Sequence, residues 1–222
     1  MVPLGLSLII YAVSVVGSLI GAVTRKQLLL SVGKPVATVT LFAVLGGLPS
    51  DIHGYLVFSG VVLSLAADIA LLADGREALA AGLGLFVVAH LCYGFAFFDI
   101  GPGGWLAAPG LVIFGAGALW LVRRQWHRLA PVLRIPVAAH ALTLACMMGG
   151  VFSLLAGQAL LQLSVMAAAG ATLFYFSQAL LPWARSRRFS VWVQPTSLAL
   201  YWGGQLCLVL AVRWGIGDKL LP

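Results

Sequence analysis

Between Ile135 and Ala184 the chain runs for 50 residues without a single Asp, Glu, Lys or Arg. No water-soluble domain can bury a stretch of that length without leaving bare apolar surface, so its solvent has to be lipid. A helix crosses the hydrocarbon core, about 30 Å thick, with about 20 apolar residues. The run is too long for one crossing and too short for three, and it divides into two near Gly157-Gln158. Other stretches repeat the pattern: Val2 to Thr24, Pro35 to Ser50, Gly54 to Ala73 (interrupted only by Asp68), Ala78 to Phe98, Ile100 to Val122, and Phe189 to Val212. The expected fold is all-α, a polytopic bundle of eight transmembrane helices forming one domain over residues 1–222.

Composition supports lipid as the solvent. Hydrophobic residues make up 62% of the 222-residue chain and charged residues 9%, where a soluble domain carries about a quarter. The runs are apolar all round, unlike the alternating strands of a membrane barrel. No basic residue precedes the first run, so a cleaved signal peptide is not expected. A net charge of +7 would suggest nucleic acid in a soluble protein, but here the basic residues gather in a few loops. Arg25, Lys26, Lys34, Arg76, Arg123, Arg124, Arg128, Arg134, Arg185, Arg187 and Arg188 fall on one face, and Arg213 and Lys219 on the other. Basic loops stay in the cytoplasm, which predicts both termini on the non-cytoplasmic side and membrane lipid, not nucleic acid, as the partner. Trp105, Trp120, Trp183, Trp192 and Trp214 fall near span ends, at headgroup level. Trp202 lies deep. Glycines within spans, including the Gly17-x-x-x-Gly21 motif, are expected to let helices approach closely. Cys92, Cys146 and Cys207 share no CxxC spacing, so no disulfide framework and no metal site is expected.

Ionisable groups inside a span are costly and usually functional. The short set here is Asp68, His90 and His140, accompanied by Tyr93, Gln178, Tyr201 and Gln205. Counted at about 1.5 Å per residue, they fall in the cytoplasmic half of the bilayer and come from several helices. A carboxyl group surrounded by hydrocarbon disfavours its charged form and can serve as a proton donor. The alternative for Asp68 is a helix–helix hydrogen bond, or a pair with a basic residue such as Lys34 at the mouth. His90-x-x-Tyr93 puts two polar side chains on one helix face, where the imidazole could orient the carboxyl or a water, or simply bond a backbone carbonyl.

These residues carry a resemblance. The run Phe58 to Leu72, a small-residue stretch leading into Asp68, is similar to the third-span signature of the lysoplasmalogenase (YhhN-type) membrane proteins. Gly82-Leu83 through Phe86 to Ala89-His90-Leu91-Cys92-Tyr93 resembles that family's G-L-x-x-F-x-x-A-H-x-x-Y block. Lys34-Pro35 resembles its Lys-Pro pair, Ala168 to Ser177 its stretch before a Ser-Asp pair, and Tyr201-x-x-x-Gln205 its C-terminal Tyr and Gln. The resemblance implies a bacterial inner-membrane hydrolase without cofactor or metal. Its substrate would be a lysophospholipid, a lysoplasmalogen cleaved at the vinyl ether bond to a fatty aldehyde and a glycerophospho head group. Such a bond yields to protonation of its outer carbon and capture of the resulting cation by water. Asp68 is then the expected acid, with His90, His140 and Gln178 placing the water, and Lys34, Tyr93, Ser177, Tyr201 and Gln205 binding substrate. The family has a second aspartate where this chain has Gln178, and His140 stands where a tyrosine is expected. The alternative is therefore a lipid-binding or lipid-transport protein without turnover.

Overall fold

The computed structural model describes residues 3–47, 49, 51–100, 104–156, 161–184 and 192–217. The Gly157-Gln158 division, the basic cluster Arg185, Arg187 and Arg188, and Lys219 lie outside them. Eight α-helices are described: α1 Leu4–Thr24, α2 Gln27–Leu45, α3 Ile52–Ala70, α4 Arg76–Ile100, α5 Ala108–Gln125, α6 Pro131–Ala156, α7 Leu161–Ala184 and α8 Val193–Gly217. Short 3₁₀ turns, Gly104–Ala107 and Trp126–Arg128, flank α5. All but α5 are long and apolar enough to cross a membrane. α5 is 18 residues long and ends in Arg123-Arg124-Gln125, which trims its apolar length below that of its neighbours.

The surface is inverted relative to a soluble protein. Leu6, Ile9, Val13, Val16 and Ile20 of α1 are exposed, as are Val112, Ile113 and Trp120 of α5, whereas Ser64, Asp68, His90 and Gln205 are buried. That distribution is the one a lipid solvent selects. Four of the tryptophans expected at span ends, Trp105, Trp120, Trp192 and Trp214, are exposed. Trp202 has another purpose. Its ring is buried in the core, and its backbone carbonyl accepts a 2.6 Å hydrogen bond from the Tyr11 hydroxyl, which ties α8 to α1.

Helix ends are set by local chemistry. Asp51 caps α3, its Oδ1 accepting from the Gly54 N–H at 2.9 Å, as carboxylates do at an N-terminus. His53, in the first turn of α3, reaches Asp99 Oδ2 at 2.7 Å near the end of α4 and so fastens those two ends together. α2 stops at Gly46, whose φ of 93° is open to glycine and strained for other residues. The Arg213 guanidinium of α8 donates to the Val44 carbonyl at that same end, where orphan carbonyls attract a cation.

Three expectations are corrected. The second span begins at Gln27 rather than Pro35. Lys34 is therefore not a loop residue; it sits seven residues into α2, its side chain only 15% exposed. Pro35 is carried inside the helix, at the cost of one N–H donor. The α3 helix ends at Ala70, so Asp68 is about 3 Å from its end rather than the greater depth its apolar run suggested. Of the Gly17/Gly21 pair, only Gly21 packs: a Cβ there would lie 2.8 Å from Leu29, while nothing lies within 4 Å of one at Gly17.

α8 touches α1, α2, α3 and α7, and α4 lies between α3 and α6. Close crossings depend on glycine. At Gly170 and Gly204, α7 and α8 approach until a Cβ on either would lie within 3 Å of the other's carbonyl oxygen. Gly60 of α3 makes room for the Tyr93 ring, which a Cβ would meet at 2.3 Å. Gly60→Ala should therefore push Tyr93 out of place and destabilise the protein by about 1–3 kcal/mol. Thermal unfolding in detergent checks this, and an unchanged midpoint would show that the α3–α4 crossing can relax.

Candidate functional site

Six helices contribute polar side chains to the interior of the bundle, and their contacts sort into two centres. The first is built on Asp68, 2% exposed. Oδ2 accepts from the Tyr201 hydroxyl at 2.8 Å and from the Thr38 hydroxyl at 3.2 Å. Oδ1 faces Lys34 Nζ at 3.6 Å. The chain of contacts continues through α8 and α4. Gln205 Nε2 donates to the Tyr201 oxygen at 3.4 Å, Tyr93 donates to Gln205 Oε1 at 2.8 Å, and Ser64 lies 3.5 Å from the Tyr93 hydroxyl. One connected polar network thus joins α2, α3, α4 and α8, and spacing places its members. Lys34 and Thr38 are four residues apart on α2, as are Ser64 and Asp68 on α3 and Tyr201 and Gln205 on α8, each pair one turn apart on a single face.

The second centre lies on α4, α6 and α7. His140 Nε2 is 3.1 Å from Gln178 Oε1, and the His90 and His140 rings are 4.9 Å apart between centroids. His90 is fully buried. Neither of its ring nitrogens, nor Nδ1 of His140, has a hydrogen-bond partner among the described residues.

Two phenylalanines separate the centres. Phe86 lies 6.0 Å from each of the His90 and His140 rings and 5.9 Å from Tyr201. Phe174 lies 4.9 Å from His90, 5.2 Å from Tyr201 and 6.4 Å from Tyr93. An aromatic layer of this kind presents ring faces that favour a cation.

The structure brings Asp68, Lys34, Tyr93, Tyr201 and Gln205 together, and separately His90, His140 and Gln178. The described contacts pair Asp68 with neither histidine. His90 and Tyr93, neighbours on one face of α4, serve different centres. Ser177 stands apart from both: its hydroxyl donates to the Ser197 carbonyl at 2.8 Å, and Ser197 donates back to the Ser177 carbonyl at 3.0 Å. That reciprocal clasp holds α7 against α8. Thr38, Phe86 and Phe174 belong to the site without having been singled out as site residues. Thr38 was legible as the residue one turn beyond Lys34; Phe86 and Phe174 fall inside stretches that carry the resemblance, although their residue type alone does not separate them from ordinary core.

Asp68 is an acceptor in this arrangement, with donors on Oδ2 and an ammonium group on Oδ1. A loose 3.6 Å approach to Lys34 leaves Oδ1 as the oxygen with least to hold it. Three free cysteines, Cys92, Cys146 and Cys207, are half-buried, and no cluster of three His, Cys, Asp or Glu suited to a metal occurs among the described residues.

The YhhN family model matches residues 29–212, which takes in both centres. No curated protein and no solved structure is significantly similar to the chain.

Proposed function

Because the chain belongs to the YhhN family, we propose that it is a membrane-embedded hydrolase of lysoplasmalogens, with Asp68 as the group that protonates the vinyl ether. The observation that carries this reading is the buried carboxyl of Asp68, held by Tyr201 and Thr38 on one oxygen and approached on the other only by Lys34. A proton added to the outer alkene carbon leaves an oxocarbenium at the ether carbon. Phe86 and Phe174 stabilise it through their ring faces, and the Asp68 carboxylate stabilises it through charge. Water adds to give a hemiacetal, which collapses to a fatty aldehyde and the glycerophospho alcohol.

Asp68 cannot donate while Lys34 holds it as a carboxylate. Lys34 is the more exposed partner of the pair, placed to meet a substrate phosphate as a point charge. A phosphate that draws the ammonium from Oδ1 leaves an uncompensated carboxylate in hydrocarbon, which takes up a proton rather than stay charged. Substrate binding thereby arms the acid. A lipid without a phosphate near Lys34 would not.

Purified protein should release aldehyde from lysoplasmenylethanolamine and none from the saturated alkyl-ether analogue. If lipid co-purifies and no aldehyde appears from either, the chain is a lipid-binding protein. That second reading is favoured by one observation, the amide of Gln178 where the family resemblance implies a carboxylate.

A further inference from the structure

The Asp68 network satisfies its own polar atoms; the histidine centre does not. Two adjacent, buried imidazoles leave three ring nitrogens without a protein partner among the described residues. Buried polar atoms are nearly always bonded, so an orphan nitrogen on each of two neighbouring rings points to a small polar ligand between them. The Gln178 side-chain oxygen can only accept, so the His140 Nε2 it faces at 3.1 Å carries the hydrogen. A neutral imidazole has one N–H, which makes His140 Nδ1 a lone-pair acceptor. His90, fully buried, offers in its neutral form one N–H and one lone pair. An N–H on one ring and a lone pair on its neighbour are what a single water needs: it accepts from His90 and donates to His140 Nδ1. A metal ion fits less well, since no third His, Cys or carboxylate completes a ligand set there among the described residues.

We propose that His90 and His140 hold the hydrolytic water between them, that His140 Nδ1 takes its proton, and that Gln178 is the positioning residue that fixes the His140 tautomer. The use of this water rests on the ether-hydrolase reading; the tautomer does not. The proton inventory closes. Water oxygen bonds to the ether carbon and its proton passes to His140 Nδ1. In the collapse, that proton goes to the departing glyceryl oxygen as its C–O bond breaks, and the hemiacetal O–H proton returns to the Asp68 carboxylate. An amide at position 178 suits this base: it orients the ring without adding a negative charge that would hold the imidazole in its protonated form.

The test is nitrogen NMR on histidine-labelled protein in micelles, without lipid. The chain has four histidines, His53, His90, His127 and His140, so His140→Asn assigns the signal of interest. The expected wild-type pattern is a lone pair at Nδ1 and a proton at Nε2. Gln178→Glu, which keeps an accepting oxygen, should retain the proton on Nε2, and Gln178→Leu should release the ring to a mixture of tautomers. In turnover, Gln178→Leu should lower kcat by about 10²-fold with KM unchanged, and Gln178→Glu should recover part of it. A proton on Nδ1 in the wild type, or an imidazolium, overturns the assignment even if aldehyde is released. The expected tautomer in a protein that releases no aldehyde overturns the hydrolase reading instead, and the role of the water with it.

Discussion

Asp68→Asn should abolish aldehyde release, lowering turnover by the 10² to 10⁴ that a positioned proton donor typically contributes, about 3–5 kcal/mol of barrier. Asparagine has nearly the size of aspartate and its amide oxygen can still accept from Tyr201 and Thr38, so the network's shape survives while the transferable proton does not. KM should change little, because the head group is met at Lys34 rather than at the carboxyl. The substitution leaves the Lys34 ammonium without its counter-ion, so loss of activity alone could reflect a damaged fold. The control is Lys34→Met/Asp68→Asn, in which neither charge remains. Restored thermal stability, with turnover at saturating substrate far below that of Lys34→Met alone, assigns the effect to chemistry at Asp68. Turnover equal to wild type in either variant would remove Asp68 from the mechanism.

The second large effect is on stability. Asp68 and Lys34 lie 3% and 15% exposed at the side chain, so each single substitution leaves a charge in a medium that cannot solvate it. Breaking a buried pair from one side costs about 3–5 kcal/mol, whereas replacing both partners with neutral groups of similar volume is often close to neutral. Lys34→Met and Asp68→Asn should therefore each lower the unfolding midpoint in detergent by more than the double variant does. A coupling energy near zero from that cycle would mean that the 3.6 Å approach is not a working ion pair, and that substrate phosphate has nothing to release. Lys34→Met should also raise KM for a phosphate-bearing lysolipid, through loss of the head-group contact.

The bundle could be read from the sequence because its main determinant is length. Charge-free runs of about 20 residues mark helices in lipid whatever their packing, and the uninterrupted run from Ile135 to Ala184 resolves into α6 and α7. The misplaced start of α2 has a physical cause. An ammonium next to a charge-free run reads as a loop residue, and the carboxylate that makes it tolerable inside α2 comes from α3, 34 positions later in the chain. The site was legible by type and only partly by place. Asp68, Tyr93, Tyr201 and Gln205 announce themselves as polar groups in apolar runs, but sequence gives how far along a helix a residue lies, not which way the helix is turned. His90 and Tyr93 share a face of α4 and still join different centres, because an aromatic layer from Phe86 and Phe174 passes between them. Ser177 looked like a substrate contact beside Gln178, and its hydroxyl is bonded to the α8 backbone instead.

The clasp between Ser177 and Ser197, with Gly170 against Gly204 farther along, makes α7 and α8 a riveted pair. Gln178 rides on one member of that pair and Tyr201 on the other. The distance between the amide that faces His140 and the hydroxyl that holds Asp68 is thus dimensioned by a fixed register between two rods. A slip of one residue would shift it by about 1.5 Å, on the scale at which misalignment costs two orders of magnitude in rate.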